Sequence, residues 1–94
     1  MATKVITTFT KSDGSTESYS YDAINSQIEK YFNSGEITEK PVKKVDGLVE
    51  TYTTTFKDQA SLKKFKLDFN GKEAHREQWL KDNNVSFEIE YVEE

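Results

Sequence analysis

The segment "VSFEIEYVEE" (85–94) decides the kind of fold, because its apolar and polar residues alternate without a break. An extended chain places every second side chain on the same side. One side of this segment therefore carries Val85, Phe87, Ile89 and Tyr91. The other side carries Ser86, Glu88 and Glu90. This period of two is typical of a β-strand with one buried and one solvated face, so we predict a half-buried sheet with the apolar side inward.

A β-hairpin is predicted near the start of the chain, in "KVITTFTKSDGSTESYSY" (4–21). β-Branched and aromatic residues flank Asp13-Gly14, which is a frequent turn dipeptide. A two-residue loop would divide the apolar residues between two faces. A three-residue loop with Gly14 left-handed puts more of them on one face, and a half-buried sheet needs that arrangement. The shared face would then hold Val5, Thr7, Phe9, Tyr19 and Tyr21.

A second hairpin is predicted in "EITEKPVKKVDGLVETYTTTF" (36–56), with its turn at Asp46-Gly47. Its second strand is the longer one. Alternation places Leu48, Tyr52 and Phe56 on one face of that strand. Pro41 has no N–H to donate to a neighbouring strand, so the first strand is expected to be short or to lie at a sheet edge.

The segment "DAINSQIEKYFNSG" (22–35) predicts a helix. Asp22 is suited to the N-cap, and Gly35 stands where a left-handed residue ends a helix. The helix would carry one apolar stripe of residues at helical spacing, namely Ile24, Ile28, Tyr31 and Phe32. We expect this stripe to pack on the first hairpin rather than on a partner protein.

The segment "KDQASLKKFKLDFNG" (57–71) is compatible with two interpretations. Asp58 as N-cap favours a helix, whereas Phe65, Leu67 and Phe69 alternate as in a strand. We favour the helix because residues 60–66 are rich in helix-forming residues and Asn70-Gly71 provides an end. A further short helix is predicted over about 72–82.

The element order ββα-ββ-αα-β predicts a single α+β domain spanning residues 1–94. We expect a mainly antiparallel sheet of about five strands with the helices packed on one face. The order of the first five elements, ββαββ, resembles that of β-grasp folds. The resemblance covers element order alone and implies no activity.

Composition excludes several classes of chemistry. With no cysteine among 94 residues, disulfides, thiolate catalysis and cysteine metal sites are excluded. No apolar window is long enough to span a membrane, and "MATKVITTFTKSDG" lacks the apolar region of a secretory signal. We therefore expect a cytoplasmic protein. Twelve lysines against one arginine indicate an AT-rich genome, such as that of some phages, and then the compartment would be the host cytoplasm.

The segment "NGKEAHREQWLKDNN" (70–84) contains the only histidine and the only tryptophan of the chain. Hydrolytic zinc helices carry two histidines four residues apart, but Trp79 stands four residues after His75. The chain also lacks a G-x-S-x-G motif and a glycine-rich phosphate loop. We therefore predict no catalytic, metal-binding or cofactor-binding residues, and interpret this segment as a scaffold helix.

Two functions remain as hypotheses. The first is a non-enzymatic protein-interaction module, an accessory, adaptor or inhibitor protein, whose candidate contact residues are Trp79, His75, Glu88 and Glu90. The alternative is a nucleic-acid-binding domain that uses lysine clusters at 40–44 and 63–66. Its candidate contact residues are Lys43, Lys44, Lys63, Lys64 and Lys66. A homodimer is compatible with both, because a second copy can cover an unpaired sheet edge.

Overall fold

The computed structural model describes residues 2–94, which form four strands and three helices. In chain order these are β1 (Thr3–Thr10), α1 (Asp22–Asn33), β2 (Ile37–Asp46), β3 (Val49–Phe56), α2 (Gln59–Asp68), α3 (Glu73–Asn83) and β4 (Ser86–Glu93). The strands make one sheet in the order β2-β3-β1-β4, with every neighbouring pair antiparallel. All three helices lie on one face of it. The predicted α+β class, with an antiparallel sheet and helices on one side, is confirmed.

The first predicted hairpin is wrong, and the sheet has four strands instead of five. β1 pairs with β3 on one side and with β4 on the other, so neither of its edges is available to the residues after the Asp13-Gly14 turn. Residues 11–21 form a loop instead. Gly14 is not left-handed, and the Asp13 carboxylate turns the chain locally by accepting the Ser15 N–H at 2.9 Å. Because the first hairpin has no second strand, the chain does not have the ββαββ element order of β-grasp folds.

The second hairpin is confirmed, but its second strand, β3, is the shorter one, with eight residues against ten in β2. β2 and β3 meet at Asp46-Gly47, where Gly47 has φ of 60°, a conformation that glycine adopts without steric cost. β2 lies at a sheet edge, as Pro41 predicts, but it is ten residues long rather than short. Two register shifts between Ile37 and Val42 accommodate the proline within the strand.

The helices match their predicted positions within a few residues. Asp58 caps α2 by accepting the Ser61 N–H at 2.8 Å, and Gly35 ends α1 with φ of 84°. Asp22 is not the N-cap of α1, because that position belongs to Tyr21 without a side-chain bond. Asp22 instead opens the first turn, where its charge complements the helix dipole.

The core lies between α1, α2 and the part of the sheet formed by β1, β2 and β3. Its buried residues are Tyr31, Ile37, Phe56 and Leu62. Phe65 meets Tyr31 and Phe56 edge to face, with ring centroids 5.1 and 5.2 Å apart. Burial raises the pKa of Tyr31 above its ordinary value, and the hydrogen bond that the Tyr31 hydroxyl donates to the Asp68 carboxylate raises it further. No residue of β4 belongs to this core, so the β4 side of the sheet is only thinly covered.

Candidate functional site

Beside this core, an open cleft of 410 Å³ lies between the inner face of the sheet and the three helices. Most of its surface is aromatic or aliphatic. The sheet contributes Val5, Thr7, Phe9, Pro41, Tyr52, Thr54, Phe56, Phe87, Ile89 and Tyr91. The helices and the segments before and after them contribute Tyr19, Ser20, Tyr21, Ile24, Asn25, Ile28, Leu62, Phe65, Lys66, Phe69, Glu73 and Arg76. An apolar concavity with a few polar groups at its rim is the usual form of a binding site.

The cleft is least covered along β4. The alternation of this strand correctly predicts that Phe87, Ile89 and Tyr91 share the inner face of the sheet. Their predicted burial is only partly correct, because Ile89 and Tyr91 are 42% and 46% exposed. At Tyr91 the helical side chain over the strand is the charged Lys66 of α2. α3 contacts β4 at Phe87 through Arg76, and its sequence has too few apolar residues for a continuous stripe. Two large apolar side chains are therefore left at the rim of the cleft.

Two cations lie over the aromatic rings of the β4 side. The Arg76 guanidinium is 4.3 Å from the ring centroid of Phe87 and 5.4 Å from that of Phe69. The Lys66 ammonium is 3.8 Å from the ring centroid of Tyr91. All three distances fall within the range of cation–π attraction. The Arg76 Nε is also enclosed without a hydrogen-bond partner among the described residues, so this side chain retains an unused donor.

A second depression of 570 Å³ adjoins the cleft where Lys66 crosses Tyr91, since both residues line the two cavities. Thr3 and Glu93 form its other side. Thr3 is only 2% exposed, and its hydroxyl oxygen has no hydrogen-bond partner within residues 2–94. The second depression thus follows β4 to its last residue, Glu93, and has an enclosed, unpaired hydroxyl beside it.

His75 and Trp79, two of the predicted contact residues, meet in an aromatic cluster at the Phe9 end of the cleft. His75 Nδ1 is 2.8 Å from the Tyr19 hydroxyl, and its ring stacks on Tyr21 with centroids 3.7 Å apart. Trp79 is half-buried, 5.1 Å from Tyr19 and 6.4 Å from Phe9 between ring centroids. Burial raises the pKa of Tyr19 above its ordinary value. The cluster attaches α3 and the loop before α1 to the sheet.

Glu88 and Glu90, the other two predicted contact residues, lie on the opposite face of β4. They stand across from Thr8 and Ile6 of β1 and are exposed. Neither makes an ion pair in the part of the chain that the structure describes. The structure does not bring them to His75 and Trp79, but it places them on the same edge strand as Ile89 and Tyr91.

The lysines of the alternative hypothesis are distributed over β2 and α2, and three of the five are engaged. Lys43 donates to Ser18 at 2.9 Å, and Lys64 pairs with Glu36 at 3.3 Å. Lys66 lies on Tyr91, as described above. The two remaining lysines, Lys44 and Lys63, are exposed. Three of the five predicted nucleic-acid contacts, Lys43, Lys64 and Lys66, thus already contact neighbouring side chains.

A buried carboxylate that the sequence analysis did not single out lies next to the aromatic cluster, opposite Phe9 on β3. Glu50 is 4% exposed and accepts hydrogen bonds from Lys11, Ser18 and Tyr52. Burial raises its pKa, but these three bonds outweigh burial and leave the pKa below the ordinary glutamate value. Glu50 shares the inward face of β3 with Tyr52, and that inward position is the signal that could have identified it.

Arg76 and Phe69 are cleft residues that the sequence analysis missed, and Lys66 was predicted only as a nucleic-acid contact. Their proximity to β4 depends on strand order, which no local pattern encodes.

Within residues 2–94 no group of three His, Cys, Asp or Glu side chains could hold a metal ion. No helix of the described residues is long and apolar enough to cross a membrane. Comparisons with protein-family models, curated proteins and solved structures find no match to this chain.

Proposed function

We propose that this protein is a non-enzymatic protein-interaction module that holds apolar side chains of a partner protein in its cleft. The observation that carries the proposal is the 410 Å³ apolar cleft, which opens along β4 with Ile89 and Tyr91 exposed at its rim. Its volume falls within the roughly 300–1,000 Å³ range of ligand sites. Exposed apolar side chains that adjoin a concavity are more typical of a binding surface than single exposed residues are.

The chemistry of the rim favours a protein over a small apolar molecule. Tyrosine and arginine are enriched where proteins contact one another, and both Tyr91 and Arg76 line the cleft. The cleft also continues into the unpaired edge of β4 instead of closing around a small volume. A ligand that extends along a strand suits this shape better than a compact one.

The test compares two double variants by affinity capture from the source cells, with nuclease present, and quantitative mass spectrometry. Ile89→Ser with Tyr91→Ser removes the apolar rim. Val42→Ser with Val45→Ser is the matched control, because these valines are 52% and 57% exposed on the opposite edge strand, β2. We expect the rim variant to reduce recovery of a protein partner about tenfold, which corresponds to roughly 1.4 kcal/mol of lost contact. The control should recover it as the wild type does.

Equal recovery by the rim variant and the wild type would overturn the proposal. If nuclease instead released every associated molecule, the nucleic-acid alternative would replace it. In that case binding should weaken steeply with salt, and reversing Lys63, Lys64 and Lys66 to glutamate should abolish it.

A further inference from the structure

We infer that β4 binds an extended segment of the partner as an additional strand of the sheet, and that this segment alternates basic with apolar residues. The inference rests on the proposed function and specifies both the binding mode and the chemistry of the partner. Three observations lead to it: the direction of the β4 backbone groups, the different character of the two faces of β4, and the cleft beside it.

Half of the backbone groups of β4 point away from the sheet. The Glu94 N–H donates to the Ala2 carbonyl at 3.0 Å, and these two residues stand opposite each other in the β1–β4 register. Antiparallel pairs alternate between bonded and non-bonded, so the even-numbered residues of β4 bond to β1. The odd-numbered residues direct their N–H and C=O groups outward, and these are Phe87, Ile89, Tyr91 and Glu93. No strand lies beyond β4 among the described residues.

The side chains of β4 specify what an added strand should carry. Residues that stand opposite each other in adjacent strands project from the same face. A residue added opposite Ile89 or Tyr91 would project over the apolar cleft and cover exposed apolar surface. A residue added opposite Glu88 or Glu90 would project on the other face, where an opposite charge stabilises the pair. The complementary strand therefore alternates apolar residues with lysine or arginine.

A second copy of this chain is a poor occupant of the edge. If two β4 strands paired about a two-fold axis, Glu88 and Glu90 of one copy would stand opposite or diagonal to those of the other, and like charges there destabilise a sheet. The remaining edge, β2, is interrupted by Pro41 and two register shifts, which are features that protect an edge strand from pairing. The exposed carboxylates of Glu88 and Glu90, which make no ion pair among the described residues, thus point to a basic partner of different sequence.

The test uses two synthetic peptides, acetyl-KVKFKVK-amide and its charge-reversed counterpart acetyl-EVEFEVE-amide, with amide hydrogen exchange read by NMR. Without peptide, we expect the amides of Glu90 and Val92 to be protected and those of Ile89, Tyr91 and Glu93 to exchange freely. The basic peptide should slow exchange of the outward amides about tenfold or more. It should also bind about tenfold more tightly than the acidic peptide. The lysines of the basic peptide attract Glu88 and Glu90, whereas the glutamates of the acidic peptide repel them.

Two sets of variants separate charge from backbone pairing. Glu88→Lys with Glu90→Lys should reverse the preference, so that the acidic peptide binds more tightly. Glu39→Lys with Glu77→Lys changes the net charge equally at exposed positions on β2 and α3, and should keep the preference for the basic peptide.

For the backbone, Ile89→Pro removes an outward N–H without breaking the ladder to β1, so peptide binding should be lost. Ile89→Ala retains this N–H and should bind, though more weakly. Near-UV circular dichroism of each variant checks that the fold is intact.

The inference would be overturned if the outward amides stayed unprotected with saturating basic peptide, or if both peptides bound equally. If the rim variant still lost its partner in the capture experiment, the proposed function would stand and only the added strand would be wrong. Protection of the outward amides without peptide, together with a concentration-dependent dimer in sedimentation, would instead identify a second copy as the occupant.

Discussion

Phe9→Ala is expected to lower the free energy of unfolding by about 3–5 kcal/mol, because it removes the centre of the aromatic cluster. Phe9 is 7% exposed, and its ring lies 5.0 Å from Phe87 and 5.7 Å from Tyr52 between centroids. Tyr19 and Trp79 complete the cluster at 6.0 and 6.4 Å. No neighbouring aromatic ring can fill the space without leaving its own contacts. The midpoint of thermal unfolding should fall by roughly 15–30 °C for a domain of this size.

Urea unfolding followed by the fluorescence of Trp79 measures this loss directly. Ile6→Ala is the matched control, because Ile6 lies on the same strand with its side chain on the opposite, half-buried face of the sheet. It should cost roughly 1–2 kcal/mol through partial loss of apolar burial. Equal losses in the two variants would show that the core does not lie on the Phe9 side of β1.

The elements that the sequence predicts correctly are those with strong local signals. The capping carboxylate of Asp58 and the Asp46-Gly47 turn each fix their own segment. The prediction of the first hairpin was wrong although Asp13-Gly14 is an equally strong local turn signal. Pairing with strands distant in the chain overrides that signal. β3 and β4 are far from β1 in the chain, yet they occupy both of its edges. A local turn cannot form a hairpin on a strand that is already paired on both sides.

For a related reason, the sequence predicts which β4 side chains face the cleft but not how exposed they are. Alternation fixes which side chains of β4 face the helices, but the amount of cover depends on what packs above them. Ile89 and Tyr91 are exposed because β4 is an edge strand and the helical side chain over Tyr91 is the charged Lys66 of α2. The charge of Lys66 is visible in the sequence, whereas its position over the edge strand is not. Alternation therefore predicts a buried strand where the structure has the rim of a cleft.

Glu50→Gln is expected to cost about 3 kcal/mol at neutral pH, because it leaves the Lys11 ammonium buried without its counter-charge. The two side chains form an ion pair in which both are largely enclosed. Lys11 also donates to the Thr16 carbonyl at 2.8 Å, and Ser18 donates to Glu50 at 2.9 Å. The same change should therefore loosen the loop of residues 11–21, and amide exchange in that loop should accelerate.

The pH dependence of this loss follows from the depressed pKa of Glu50. A carboxyl whose pKa is lower in the folded state contributes stability above its ordinary pKa, which is 4.5, and loses that contribution as the pH falls through the folded value. Protonated Glu50 is neutral, as glutamine is. The difference in unfolding free energy between the wild type and Glu50→Gln should therefore shrink as the pH is lowered below about 4.5. Urea unfolding at a series of pH values measures it.

Two controls distinguish the ion pair from a general effect of charge. Glu77→Gln removes an exposed carboxylate and should change stability by less than about 0.5 kcal/mol. Adding Lys11→Met to Glu50→Gln removes the uncompensated ammonium and should recover part of the loss, with a coupling energy of about 1–3 kcal/mol. A loss that stayed constant as the pH fell, or losses that simply added in the double variant, would show that Glu50 contributes packing and no charge pairing. In that case the loop would be held by its hydroxyl contacts alone.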